Sequence, residues 1–234
     1  MKINATVFRN FLKQVSPIDE GTITVTPEKM IMFVQTSSQD RQVKVEYPFA
    51  YPAEPLEMNL SNFRTLLLTL SRFGNEELDI MVEKNASDIP CGLSIHSGKK
   101  SLKIPMVSKE HIRQGKELTG KPDATFVLKA EDVSDFLGDM DKFGDKPIVT
   151  LQHKKGETTL GIKIESDKLA SVLENTYEIG AEVPEFALKF RSLDAISLAE
   201  GPLTIWFGTK AIIAEYWTKD NIKVQHTLAI YIGD

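Results

Sequence analysis

Apolar positions along the chain follow two periods in turn. At Phe8, Phe11, Leu12 and Val15, and at Val133, Phe136, Leu137 and Met140, they fall at i, i+3, i+4 and i+7. Phe63, Leu66, Leu67 and Leu70 repeat that spacing, which gathers side chains on one side of a helix. A fourth short segment, Leu193-Asp194-Ala195-Ile196-Ser197, has the same character. The four segments recur about every sixty residues, a period that points to an internal repeat. Asn4 and Ser61 stand where N-caps are expected, Glu131 and Asp132 suit the positive end of a helix dipole, and Gly74, Gly144 and Gly201 follow where helices should stop.

Between these segments the period falls to two. Strands are predicted at 21–26, 29–36 and 42–47 after the first helix, and at 77–83, 92–97 and 101–106 after the second. Residues 148–153, 158–165 and 168–176 follow the third, and 203–208, 211–217 and 223–232 follow the fourth. Pro27-Glu28, Ser37-Ser38-Gln39-Asp40 and Lys155-Gly156 supply turns. Short extended runs at 56–59, 125–129 and 186–190 lead into the later helices. The stretch from Ser108 to Ala124 is polar, holds two glycines and a proline, and keeps no period, as a connector does. The expected organisation is a domain at 1–107, a connector at 108–124 and a similar domain at 125–234. The fold class is α+β: each domain has two strand–helix–strands repeats, with helices on one face of antiparallel sheets.

Composition narrows the function classes. With 41% hydrophobic and 26% charged residues, the chain has the makeup of a folded protein. No run of more than about ten residues lacks a charge, which excludes a membrane-spanning helix. Arg9 and Lys13 interrupt any apolar leader, so no secretory signal is expected, and the single Cys91 fits a reducing compartment. The expected location is cytoplasmic, the host cytoplasm for a viral protein.

Catalytic chemistry finds no footing. His96, His111, His153 and His226 are scattered without metal-ligand spacing and read as isolated surface or strand histidines. No glycine-rich phosphate loop or nucleophile elbow occurs. Cys91, between Pro90 and Gly92, reads as a buried or half-buried structural cysteine, and the acids Asp132, Asp135, Asp139 and Asp141 as a solvated helix face. No cofactor, metal or enzymatic activity is expected.

Charge placement says more than the net charge of −5, which by itself argues against a basic nucleic-acid coat. The first helix carries Arg9 and Lys13 and no acid, with Asn10 and Gln14 beside them, opposite the apolar stripe. The second carries Arg64 and Arg72, again without an acid, with Thr69 on the same side. Such faces suit phosphate contacts without base reading; a solubilising helix surface has the same composition. The third helix departs from the pattern: Glu131, Asp132, Asp135, Asp139 and Asp141 stand against Lys142, and the fourth sets Arg191 against Asp194.

The whole architecture resembles the DNA sliding clamps, the polymerase processivity factors, of the type with two domains per subunit. The resemblance rests on Met1-Lys2-Ile3 leading into Phe8-Arg9-Asn10-Phe11-Leu12-Lys13, on Leu60-Ser61-Asn62-Phe63, on the polar connector, and on Phe126-Val127-Leu128-Lys129-Ala130-Glu131-Asp132. Short length and divergent strands point to the bacteriophage branch. The resemblance implies a homotrimeric ring around duplex DNA, held without sequence preference and loaded by an ATP-driven clamp loader, that tethers a DNA polymerase. Late-transcription factors are a further implied partner.

It places DNA contacts at Arg9, Asn10, Lys13, Gln14, Arg64, Thr69, Arg72, Lys142 and Arg191, with Lys99, Lys100, Lys146, Lys154 and Lys210 as additions from loops. Partner peptides are expected near Ile112, Leu118, Ile230 and Ile232. The subunit interface is expected at two strand edges: Ser101, Leu102, Lys103, Ile104 and Pro105 on one, Ala170, Ser171, Val172, Leu173 and Glu174 on the other. Two other classes share parts of the pattern. A β-rich viral structural protein would also assemble through sheet edges, though the fourfold repeat disfavours it, and a small hydrolase would need the acidic cluster as its site.

Overall fold

The computed structural model describes residues 1–15, 18–39, 41–118, 121–142, 148–166, 171–180, 183–191, 199–208 and 211–229. The chain divides into two compact units, Met1–Lys116 with Asp220–Val224, and Glu117–Lys219 with Gln225–Asp234.

In the first unit the order is β1 (Lys2–Asn4), α1 (Ala5–Lys13), β2 (Glu20–Val25), β3 (Lys29–Gln35), β4 (Arg41–Pro48), β5 (Leu56–Ser61), α2 (Phe63–Leu70), β6 (Glu77–Lys84), β7 (Pro90–Ser97) and β8 (Lys100–Pro105). Each helix is thus preceded by one strand and followed by three. The leading strands are exchanged between the two repeats. β1 pairs with β6 of the second repeat, and β5 pairs with β2 of the first. The hydrogen-bonded orders are β1-β6-β7-β8 and β5-β2-β3-β4, with every pairing antiparallel.

The second unit repeats the plan. Its elements are β9 (Ala124–Leu128), α3 (Ala130–Lys142), β10 (Ile148–His153), β11 (Thr159–Ser166), β12 (Ser171–Glu178), β13 (Phe186–Arg191), β14 (Leu203–Phe207), β15 (Ala211–Trp217) and β16 (Lys223–Ala229). Here too the leading strands are exchanged, β9 to β14 and β13 to β10. The orders are β12-β11-β10-β13 and β16-β15-β14-β9. The fourth expected helix, with Leu193–Ser197, lies outside the described residues, as do Ala170, Ile230 and Ile232.

Local chemistry explains the boundaries. Asn4 ends β1 in an extended conformation, and its side-chain oxygen accepts from the N–H groups of Thr6 and Val7, so one residue closes a strand and caps α1. The apolar stripe of α1 goes fully inside: Phe8, Phe11, Leu12 and Val15 have no exposed surface. α1 packs against α2, whose Phe63, Leu66 and Leu70 are buried. In β3 burial alternates strictly, with Met30, Met32 and Val34 at 0% exposure, the period of a strand with one face in a core. In α3 the buried residues include Val133, Phe136 and Met140.

Three local expectations need correction. The cap of α2 is Asn62, not Ser61: Ser61 is still paired in β5, and Asn62 turns the chain at φ 58°, ψ 50° while accepting from Thr65 N–H. Asparagine tolerates that left-handed conformation, which serine adopts less readily. Arg191 belongs to strand β13, opposite Ile148, rather than to a helix. Cys91, on β7, is exposed instead of buried or half-buried. Two of the histidines expected at the surface or in strands are strand residues deep in the second unit, His153 at 2% and His226 at 0% exposure.

Candidate functional site

Three features of the described surface carry the candidate functions: the basic face of α1 and α2, the connector, and two open sheet edges. On α1, Lys13 is exposed and Arg9 half-buried. The Arg9 guanidinium donates to the hydroxyl of Thr6 at 3.1 Å and to the carbonyl of Gly74 at 3.0 Å. Gly74, at φ 58°, ends the 3-10 turn that follows α2. Arg9 therefore ties α1 to the end of α2 as well as presenting charge. Asn10 donates to the carboxylate of Asp220, so its amide is engaged within the unit.

Gln14 is only 5% exposed, against the expectation that it stands beside Arg9 and Lys13. Gln14 is the C-cap of α1 and still helical, at φ −63° and ψ −22°. Three residues from Phe11 and next to Val15, it flanks the buried stripe instead of joining Lys13 on the exposed side. On α2 and the turn after it, Arg64 and Arg72 are exposed, while Thr69 is half-buried and donates to the carbonyl of Thr65 at 2.8 Å. Leu68 is 68% exposed, one turn along from Arg64. An open groove runs between Leu12, Ile18, Phe63, Arg64, Leu67 and Leu68, a feature that the binary pattern of α2 did not announce.

In the second unit the helix surface is acidic. Asp132, Asp135 and Asp139 line a polar hollow with Asn175 and Tyr177 of β12. Asn175 donates to Asp139 at 2.7 Å and to the Tyr177 oxygen at 3.2 Å. Burial pushes the Tyr177 phenol above its ordinary pKa, the Asn175 bond opposes this, and the charges of Asp139, Asp135 and Asp132 add to it. Among the described residues no cluster of His, Cys, Asp or Glu could hold a metal ion. No described helix is long and apolar enough to cross a membrane. The side chains of Lys142 and Arg191 lie outside the described set.

The connector is seated on the first unit rather than free. Gln114 bridges to Val34 in an antiparallel contact. Arg113 accepts from Gln35 N–H through its carbonyl and donates through its guanidinium to the carbonyl of Ser37 at 2.6 Å. Gly115 donates to the carbonyl of Phe33 at 3.1 Å. A Cβ at position 115 would fall 2.3 Å from the Phe33 ring, so only glycine lets the chain approach so closely. Lys109 pairs with Glu57 at 2.8 Å. Of the expected partner residues, Ile112 is buried at 7% exposure and Leu118 is 52% exposed.

The two edges come out clearly. β8 and β12 are each the last strand of their sheet. Met106 N–H bonds to Cys91 on β7. By the alternation of an antiparallel ladder, Lys100, Leu102 and Ile104 also bond inward to β7, and Ser101, Lys103 and Pro105 direct their main-chain groups outward. Proline at the outward position removes a donor only from the open side. On the other sheet Ile179 N–H bonds to Thr158, so Val172, Glu174 and Thr176 face outward in the same sense. Val172 is 54% exposed. Near β8, Lys100 pairs with Glu76 at 2.6 Å and Lys103 with Glu83 at 2.9 Å. These bonds hold both carboxyls below the usual range.

No protein-family model matches the sequence, and no curated protein matches it. Among solved structures the chain is similar to one described as the C-terminal region of FEN-1 bound to A. fulgidus PCNA. The TM-score there is 0.75 at 15% identity, with 100% of this chain and 98% of that chain covered. It is also similar to proliferating cellular nuclear antigen from Entamoeba histolytica, at TM-score 0.72 and 15% identity, covering 99% of this chain and 98% of that one. The fold is therefore that of the DNA sliding clamps, over the full length of the chain.

Proposed function

We propose that the protein is a DNA sliding clamp, a polymerase processivity factor that acts as a homotrimeric ring around duplex DNA and catalyses no reaction. The observation that carries this reading is the fourfold repeat of one strand followed by three with exchanged leading strands, a helix standing between them in the three repeats where that segment is described, in the clamp fold from end to end. Two acid-free helices support the DNA role: Lys13, Arg64 and Arg72 are exposed and suited to phosphates without reading bases. Residues 1–107 and 125–234 are the two clamp domains, joined by 108–124. An ATP-dependent loader places the ring, a DNA polymerase docks on it, and late-transcription factors of a bacteriophage are further candidate partners. The host cytoplasm is the place of action. The seated connector supports a docking role, with exposed Leu118 as its apolar contact.

The test is loader-dependent stimulation of the cognate polymerase. Wild-type protein lengthens the products made per binding event. A variant with Lys13, Arg64 and Arg72 reversed to glutamate stays folded and loses that stimulation. Its DNA affinity depends less on salt, the log–log slope falling by ~0.9 for each phosphate contact removed. Undiminished stimulation by the triple variant contradicts the DNA assignment of these helices.

A further inference from the structure

We propose that β8 of one copy and β12 of the next join in a single antiparallel register, with Lys103 opposite Glu174, Ser101 opposite Thr176 and Pro105 opposite Val172. This rests on the ring reading above and goes beyond it by assigning the residues that select the partner edge.

The open main-chain groups set the first constraint. Only outward-directed residues can meet in hydrogen-bonded pairs, so Ser101, Lys103 and Pro105 must face Val172, Glu174 and Thr176. Of the six side chains, the charged pair Lys103 and Glu174 bears on the choice of register. Sliding by two residues in one direction sets Lys103 against Thr176 and Pro105 against Glu174. Sliding in the other sets Lys103 against Val172 and Ser101 against Glu174. Of these three alignments only the proposed one brings the lysine to a glutamate. A slide of four would set Lys103 against Glu178 but carry Ser101 past the end of β12. Lys103 and Glu174 are both exposed. Lys103 already reaches across the solvent face to Glu83 at 2.9 Å, which leaves its ammonium on that face between the two carboxylates.

The opposite face agrees. In the same register Ile104 meets Leu173 and Leu102 meets Asn175, all four half-buried in the single chain. Lys100 comes opposite Tyr177, beside the hollow lined by Asp132, Asp135 and Asp139. Lys100 is held there by the carbonyl of Arg72 at 2.9 Å and by Glu76. The acidic surface of α3, which has no counterpart on α1 or α2, thus faces the lysine-bearing edge of a neighbour. About five main-chain bonds would form, Pro105 contributing only its carbonyl.

Paired cysteines test the register, in a Cys91→Ser background because Cys91 is exposed. Ile104→Cys with Leu173→Cys places two thiols in a non-hydrogen-bonded pair, with Cα atoms about 4.5 Å apart, within disulfide reach. Mild oxidation is expected to give covalent oligomers on a denaturing gel, whereas Ile104→Cys with Asn175→Cys stays monomeric. Lys103→Glu or Glu174→Lys alone is expected to weaken assembly about fivefold, and the two together to restore it. Cross-linking through the shifted pair, or single reversals without effect, in a protein that still assembles overturns the register and leaves the ring reading standing. Wild-type protein that is monomeric by light scattering at every concentration overturns both.

Discussion

At the scale of single residues, the same charge plays different parts on neighbouring turns. Arg9 bridges α1 and the end of α2 through Thr6 and Gly74, while Lys13 is simply exposed. Hydrogen bonds to a charged group contribute more than neutral ones. Arg9→Ala is therefore expected to lower the stability measured by urea unfolding by about 1–2 kcal/mol. Lys13→Ala is expected to stay within about 0.5 kcal/mol of wild type. Equal losses would show that the Arg9 contacts do not stabilise the helix pair. Residue identity also explains what could not be read from spacing. Gln14 flanks the buried stripe at the C-cap of α1, where the four-residue spacing from Asn10 does not decide its exposure, and the burial of Cys91 depends on where β7 begins, not on its period. Gly115 was legible as a glycine in a polar connector, but the ring of Phe33 that demands it lies far away in sequence.

At the scale of elements, regular alternation was the most dependable signal. Met30, Met32 and Val34 in β3, or Leu203, Ile205 and Phe207 in β14, are buried in strict alternation, and those strands were placed within a residue or two. The helix stripes at Phe8, Phe11 and Leu12 and at Val133 and Phe136 were equally plain. The exchange of β1 and β5, and of β9 and β13, was not legible, because it is a matter of long-range pairing that no local period encodes. The exposed Leu68 was hidden for a similar reason: a run of three leucines in α2 cannot all face one core, and the run does not say which is left out.

Two predictions belong to this scale. Val172 directs its N–H away from β11, so Val172→Pro removes a donor only from the open edge of β12. Circular dichroism should show a folded chain, and light scattering across concentration should show that it no longer assembles. Assembly as strong as wild type would mean that β12 is not the joining edge. The second concerns Glu46, on β4. Partial burial raises its pKa, but hydrogen bonding from Lys29 and the charge of Lys44 outweigh this and bring it below the ordinary 4.5. A carboxyl lowered in the folded state stabilises at pH above its unfolded value and ceases to do so as pH falls through its folded value. The urea midpoint of wild type should therefore drop more steeply below pH 4.5 than that of Glu46→Gln. Parallel curves would show that the Lys29–Glu46–Lys44 cluster is thermodynamically silent.

At the scale of the whole molecule, charge is sorted by unit. α1 and α2 carry arginine and lysine without an acid, while α3 carries aspartates. A protein that must slide needs backbone attraction without base contacts, and attraction confined to part of its lining suffices when the ring cannot open. In the proposed ring, acidic residues elsewhere discourage DNA from wrapping the outside, and in the proposed register those on α3 face the lysines of a neighbour's β8. In this account topology, not affinity, keeps the protein on DNA.

Topology can be measured directly. Protein loaded by its cognate loader and ATP onto nicked circular DNA is washed at high salt, and half of the sample is then linearised by a restriction enzyme. A ring threaded by DNA remains on the circle through the wash and is released from the linear form by sliding off its ends. The account predicts retention on the circle and loss from the linear DNA. Equal retention on both forms, or none on the circle with loader and ATP present, would contradict it.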